Sequence, residues 1–240
     1  MATISPSFVN STVLSSFAFL FLVWLITHKA IYSLKIQKDK KLKFSFFTAL
    51  ILVGWFALVF VFGKIGFFAM SHLVAPYILI GFILLLGVLQ KVYASTTIQT
   101  IADAIPAHWI IGIQTYRVVG IGFLILYSQG ILPATFAFPA GIGDIIIGIT
   151  APFVAYLYFL KKPYAKKLAI NWNILGIADL VIALAVGIAG YPRPLQLIPL
   201  TPSTEPFSLY PLVLIPLFAV PLALLLHFCS LRTLRDRNLY

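Results

Sequence analysis

Apolar residues in this chain run in blocks of about twenty, broken by short polar or basic segments, and block length sets the first expectation. A helix rises 1.5 Å per residue and a bilayer core is about 30 Å thick, so about 20 apolar residues cross it. Seven blocks qualify, at residues 12–33, 44–63, 71–91, 109–130, 136–160, 168–190 and 208–230. They predict an all-α fold, a polytopic transmembrane bundle of seven spans. Between the third and fourth blocks, Ser95, Thr96 and Thr97 offer a helix N-cap, and Ile98, Ile101, Ala102 and Ile105 recur at helical spacing before Pro106. A short helix in the membrane interface is expected there, with a plain loop as the alternative. The whole reads as one integral membrane domain: residues 1–91 as apolar scaffold, 92–108 as the interfacial segment and 109–240 as a polar-centred bundle.

Composition supports this division. Hydrophobic residues make up 61% of the 240 and charged residues 10%, with mean hydropathy +1.04; a soluble domain carries about a quarter charged residues. The formal charge of +11 is topological and does not mark a nucleic-acid surface, because the basic residues punctuate the apolar blocks. Fourteen Lys and Arg, within 29–43, at 91, and within 161–167 and 232–237, fall on one side; Lys64 and Arg193 fall on the other. The positive-inside rule then puts the N-terminus outside and the C-terminus in the cytoplasm, which an odd number of spans requires. The opening MATISPSFVNSTV has no basic residue before the first block, so that block is expected to be a retained span and not a cleaved signal. The single cysteine, Cys229, excludes an internal disulfide.

Three charges inside apolar blocks carry the candidate chemistry: Arg117, Asp144 and Asp179. Each costs about 2.5–3.5 kcal/mol to insert on translocon scales, so they need partners, and each other is the available choice. Arg117 lies about 12 Å into its block, beyond easy snorkelling. Gln114 and Gly120 are three residues to either side of it, and Ile110, Ile121 and Leu124 are expected to continue the same face. Asp144 is also about 12 Å in, on a stripe of Ala140, Gly148, Ala151 and Ala155; Asp179 has Gly176, Ala183 and Gly187 on its face. Small residues of this kind let membrane helices approach closely. Tyr116, Asn173 and His227 join Gln114 as lesser polar lining. The segments GIGDIIIG at 141–148 and GIADLVIA at 176–183 match locally, a hint of an inverted pair around a midplane site. In the last block Pro211, Pro216 and Pro221 are expected to bend the helix and free carbonyls, with Pro216 and Pro221 as gating or kink positions.

An arginine facing two carboxylates sums to −1 when all are ionised. One carboxylate is therefore expected to keep a proton and exchange it, which points to a small-solute or proton-coupled transporter. The alternative is a non-catalytic subunit or sensor, with a homo-oligomer or membrane partner, in which the cluster only fixes packing. A haem or metal protein is the minor alternative: His28, His108 and His227 fall near one end of their blocks and His72 near the other, without a ligand spacing signature. No cofactor is expected. The sequence lacks HExxH, GxSxG and GxxxxGK[ST]. The last block lacks a lysine for a retinal Schiff base, and GIGD at 141–144 has no Tyr-Asp partner for an aspartyl intramembrane protease.

The runs QTYRVVGIGFLILYSQGILPATFAFPAGIGD, NWNILGIADL and LYPLVLIPLFAVPLALLLHFCSLRTLR resemble a family of uncharacterised bacterial multi-pass membrane proteins, over residues 108–183 and 209–235. The resemblance implies a bacterial inner membrane and a lipid partner, and no activity.

Overall fold

A computed structural model describes residues 4–69, 77–192 and 196–236. His72, Arg193, Arg237 and the start of the third predicted span lie outside them. The described residues are all-α: α1 (Pro6–Ser33), α2 (Lys38–Lys64), α3 (Tyr77–Ala94), α4 (Thr96–Ala104), α5 (Ala107–Ile113), α6 (Ile121–Ser128), α7 (Ala134–Phe159), α8 (Ala165–Ala189) and α9 (Val220–Asp236). A 3-10 helix, Gln114–Gly120, welds α5 to α6, and a π-helix, Ile215–Ala219, leads into α9.

Six helical stretches are long and apolar enough to cross a bilayer: Pro6–Ser33, Lys38–Lys64, Ala107–Ser128, Ala134–Phe159, Ala165–Ala189 and Ile215–Arg235. They coincide with six of the seven predicted blocks. The third block corresponds to α3, 18 residues, whose apolar part Tyr77–Val88 is shorter than the others.

Local chemistry explains the boundaries. Ser5 Oγ accepts from Phe8 N at 3.3 Å with Pro6 in the first turn, starting α1 several residues before its apolar block. Gly66, at φ +73°, lets the chain leave α2. The amphipathic segment after α3 is helical, with Ile101 and Ala102 buried and Pro106 following, although Ser95 makes no side-chain cap bond. The last block departs furthest from expectation. Its helix begins at Ile215, not 208, because Pro211 and Pro216 disfavour helical backbone before them and supply no N–H. Pro211 thus precedes the helix, and Pro216 sits in the first turn, where a missing N–H costs nothing. Only Pro221 falls where it removes a bond. Leu217 O, one turn back, instead accepts Trp55 Nε1–H from α2 at 2.9 Å.

The chain packs around its last helix. In an 18-residue window of Ile215–Arg235, 61% of residues are buried, against 17–39% in the windows of the other five. Phe218, Leu222 and Leu226 meet Phe19, Val23, Leu52 and Ile110 in one apolar cluster, while Leu234 joins Ile111, Ala151, Leu157 and Ala165 in another. Outward, α2 exposes Phe46, Leu50 and Leu58, α7 exposes Ile142, Ile149 and Phe153, and α8 exposes Leu175 and Ile182. Whole helix faces of this kind are stable against lipid, not water. The chain is therefore a multi-pass membrane protein.

Contacts gather the basic segments at one end. Lys29 Nζ lies 5.6 Å from the Trp109 ring centre, Asp103 pairs with Arg232 at 3.2 Å, and Leu234 packs beside Tyr158 and Ala165. At the other end Phe8 packs with Phe136 and Phe207, and Lys64 Nζ sits 4.4 Å over Tyr210.

Candidate functional site

The 3-10 helix decides how span four presents its polar residues. At three residues per turn, side chains at i and i+3 eclipse, so Gln114, Arg117 and Gly120 stack on one line and are all buried. The expected continuation through Ile121 fails for the same reason. Four 3-10 residues turn about 120° past a full circle, and Ile121 is 51% exposed while Ile110 is buried.

Arg117, 1% exposed, reaches both carboxylates. Its Nε donates to Asp144 Oδ1 at 2.6 Å, and its Nη2 donates to Asp179 Oδ2. Nη1 donates to the Gly176 carbonyl at 3.2 Å and lies 3.4 Å from His227 Nε2. Because a guanidinium only donates, His227 Nε2 must accept and Nδ1 must carry the ring proton. That proton has an acceptor, Asn173 Oδ1 at 2.9 Å, and Asn173 Nδ2 donates onward to Ala169 O at 2.8 Å and Ser230 Oγ at 3.1 Å. The line Arg117, His227, Asn173, Ser230 therefore runs with every donor pointing the same way. His227 is not at the end of its span as expected but at the level of Arg117, because the last helix starts later and runs further than its apolar block.

Glycines let these groups meet. A Cβ on Gly120 would strike Asp144, one on Gly143 would strike Asp179, and one on Gly176 would come within 2.5 Å of His227 Cε1. The small-residue stripe beside Asp144 is buried as expected: Ala140, Gly148, Ala151 and Ala155 all face inward. Gln114 Nε2 donates to Ala223 O at 3.2 Å, leaving Gln114 Oε1 buried without a partner among the described residues. Tyr116 donates to Ala219 O at 3.3 Å and stacks on Phe19 at 3.6 Å. Gln114, Tyr116, Asn173 and His227 thus all reach the last span or the Arg117 cluster, while Asn171 faces out.

Asp144 and Asp179 each keep 18% of their side chains exposed, and two cavities explain the opening for Asp144. One, about 290 Å³, lies between α1 and the 3-10 helix and is lined by Ser11, Thr12, Ser15, Ser16, Arg117 and Asp144. The other, about 90 Å³, is apolar and runs from Asp144 past Phe136, Gly187 and Tyr191. Ile215 and Val220, which bracket the π-helix, line both. The serine and threonine stripe on α1 has no counterpart in the expectation of spans one to three as scaffold. Its i, i+1, i+4, i+5 spacing was the signal for it.

The three described histidines do not converge. His28 Nδ1 bonds Ser45 Oγ at 2.6 Å, His108 packs edge-on against Phe159, and His227 serves Arg117. Among the described residues no three His, Cys, Asp or Glu are grouped to hold a metal ion.

No curated protein and no solved structure matches the chain. Residues 74–235, which contain α3 to α8, all but the last residue of α9 and every member of the charge cluster, match the family described as a domain of unknown function (DUF8737), and the chain belongs to that family.

Proposed function

We propose that this protein is a seven-span carrier of the bacterial inner membrane that couples a small solute to a proton at Arg117, Asp144 and Asp179. The N-terminus lies outside and the C-terminus is cytoplasmic on this reading. On this reading the remaining span is α3, 18 residues of which Tyr77–Val88 are apolar. α4 then lies in the cytoplasmic interface, tied to α9 through Asp103 and Arg232.

One observation carries the reading: a single buried cation holds two carboxylates, and one of them lines two adjoining cavities. With all three groups ionised the cluster holds −1 in a low-dielectric centre, a charge that one proton or one cationic ligand neutralises. The π-helix, whose ends line both cavities and which has Pro216 and Pro221 at its edges, is the hinge of the cycle on this reading, as π segments inside α-helices are frequent at functional sites.

A static interhelical pin is the competing reading, favoured by the near-complete burial of Arg117. Proteoliposomes loaded with a pH dye separate the two. Amino acids, organic acids and organic cations are supplied in turn across an imposed pH gradient. At least one is expected to accelerate proton movement in the wild type and not in Asp144→Asn or Asp179→Asn. Equal acceleration in all three proteins, or none with any solute, overturns the carrier.

A further inference from the structure

The cavity between α1 and the 3-10 helix has an unusual hydrogen-bonding character. Ser11 and Thr12 both donate to Phe8 O, at 3.0 and 2.9 Å, and Ser15 and Ser16 both donate to Thr12 O, at 3.1 and 2.8 Å. All four hydroxyl protons are spent inside α1, so the cavity meets only oxygen lone pairs along this wall. Tyr116, also on the wall, donates its hydroxyl hydrogen bond to Ala219 O. Among the described lining residues Arg117 is the one cation, and four of its five N–H groups are directed to Asp144, Asp179, Gly176 O and His227. Asp144 adds a carboxylate whose Oδ2 takes no hydrogen bond among the described residues.

We propose that this cavity binds a small organic cation bearing N–H groups, an alkylammonium or a guanidinium, with Asp144 as counter-ion and the α1 hydroxyls as acceptors. The inference names the solute class of the carrier proposed above and rests on that reading for its role in transport.

Charge, donor count and size agree. The cluster lacks one positive charge, and the α1 wall presents acceptors with its own donors committed, which disfavours carboxylates and phosphates despite the basic composition of the chain. The volume of about 290 Å³ is that of about ten waters, too large for a bare metal ion and fitting a molecule of several heavy atoms. Phe8 and Phe123 also line the cavity, and aromatic rings attract cations. Ser16 and Asp144 each lie ten residues, about 15 Å, from the starts of α1 and α7, so the hydroxyl stripe and the carboxylate share one depth. A cation and a proton that neutralise the same charge cannot both be held, so the two exchange one for one.

Guanidinium and urea make the test, being nearly isosteric and differing in charge. Purified full-length protein is titrated calorimetrically with millimolar guanidinium chloride, urea and sodium chloride. Guanidinium is expected to bind, urea and sodium to show no binding, and the mild double variant Thr12→Val/Ser16→Ala to weaken guanidinium about tenfold while eluting as a single species. Binding of urea or sodium as tight as guanidinium, or unaltered affinity in the double variant, overturns the site. Guanidinium binding without proton movement in liposomes supports the site and overturns the carrier. Asp-dependent proton movement with another solute and no guanidinium binding overturns the site alone.

Discussion

At the level of single residues, Arg117, Asp144 and Asp179 were legible because an ionisable group in an apolar block has no cheap environment, and they form the cluster that reasoning required. Their supporting atoms were not legible. The Gly176 carbonyl and the ring of His227 come to Arg117 through packing of the last span, which no local pattern encodes. The charge balance makes an asymmetric expectation. Arg117→Met leaves two carboxylates unopposed and should cost about 3–5 kcal/mol, read as a large drop in the thermal midpoint in detergent. Asp179→Asn leaves a neutral Arg117–Asp144 pair and should cost far less; equal losses in the two variants would contradict a cluster one positive charge short. Close packing gives a second expectation. Gly120→Ala places a methyl against Asp144 and should destabilise by about 1–3 kcal/mol through overpacking, measurable in the same melts, and a wild-type midpoint would show that the helices can separate freely there.

At the level of elements, helix existence followed from apolar block length, whereas helix type did not. The 3-10 stretch Gln114–Gly120 and the π stretch Ile215–Ala219 are both invisible to a search for 3.6-residue periodicity, and both border the cluster. The prolines of the last block were a fair warning, but only Pro221 frees a carbonyl, and the sequence does not say that Trp55 would take it. That pairing is testable as a cycle. Trp55→Phe leaves Leu217 O unsatisfied and should cost about 1–3 kcal/mol. Pro221→Ala returns an N–H to the helix, so in the Trp55→Phe background it should recover part of that loss. Strictly additive effects would mean that the two residues do not share the carbonyl.

At the level of the whole molecule, membrane character was fully legible, since outward faces of Phe, Leu and Ile have no aqueous solution, while the central position of the last span was not. Topology remains a matter of α3. In a Cys229→Ser background, single cysteines at Lys40, Thr100 and Lys162 should react with a membrane-impermeant maleimide from one side and a cysteine at Gly66 from the other; labelling of positions 66 and 100 from the same side would reduce the spans to six. The central claim is that the buried carboxylates carry a proton in exchange with a solute, and the most direct measurement is proton flux in dye-loaded proteoliposomes, wild type beside Asp144→Asn and Asp179→Asn, with each solute class supplied in turn. The expected result is solute-dependent proton movement in the wild type that falls to the level of protein-free liposomes in both variants. Solute-dependent movement of the same rate in all three would contradict it.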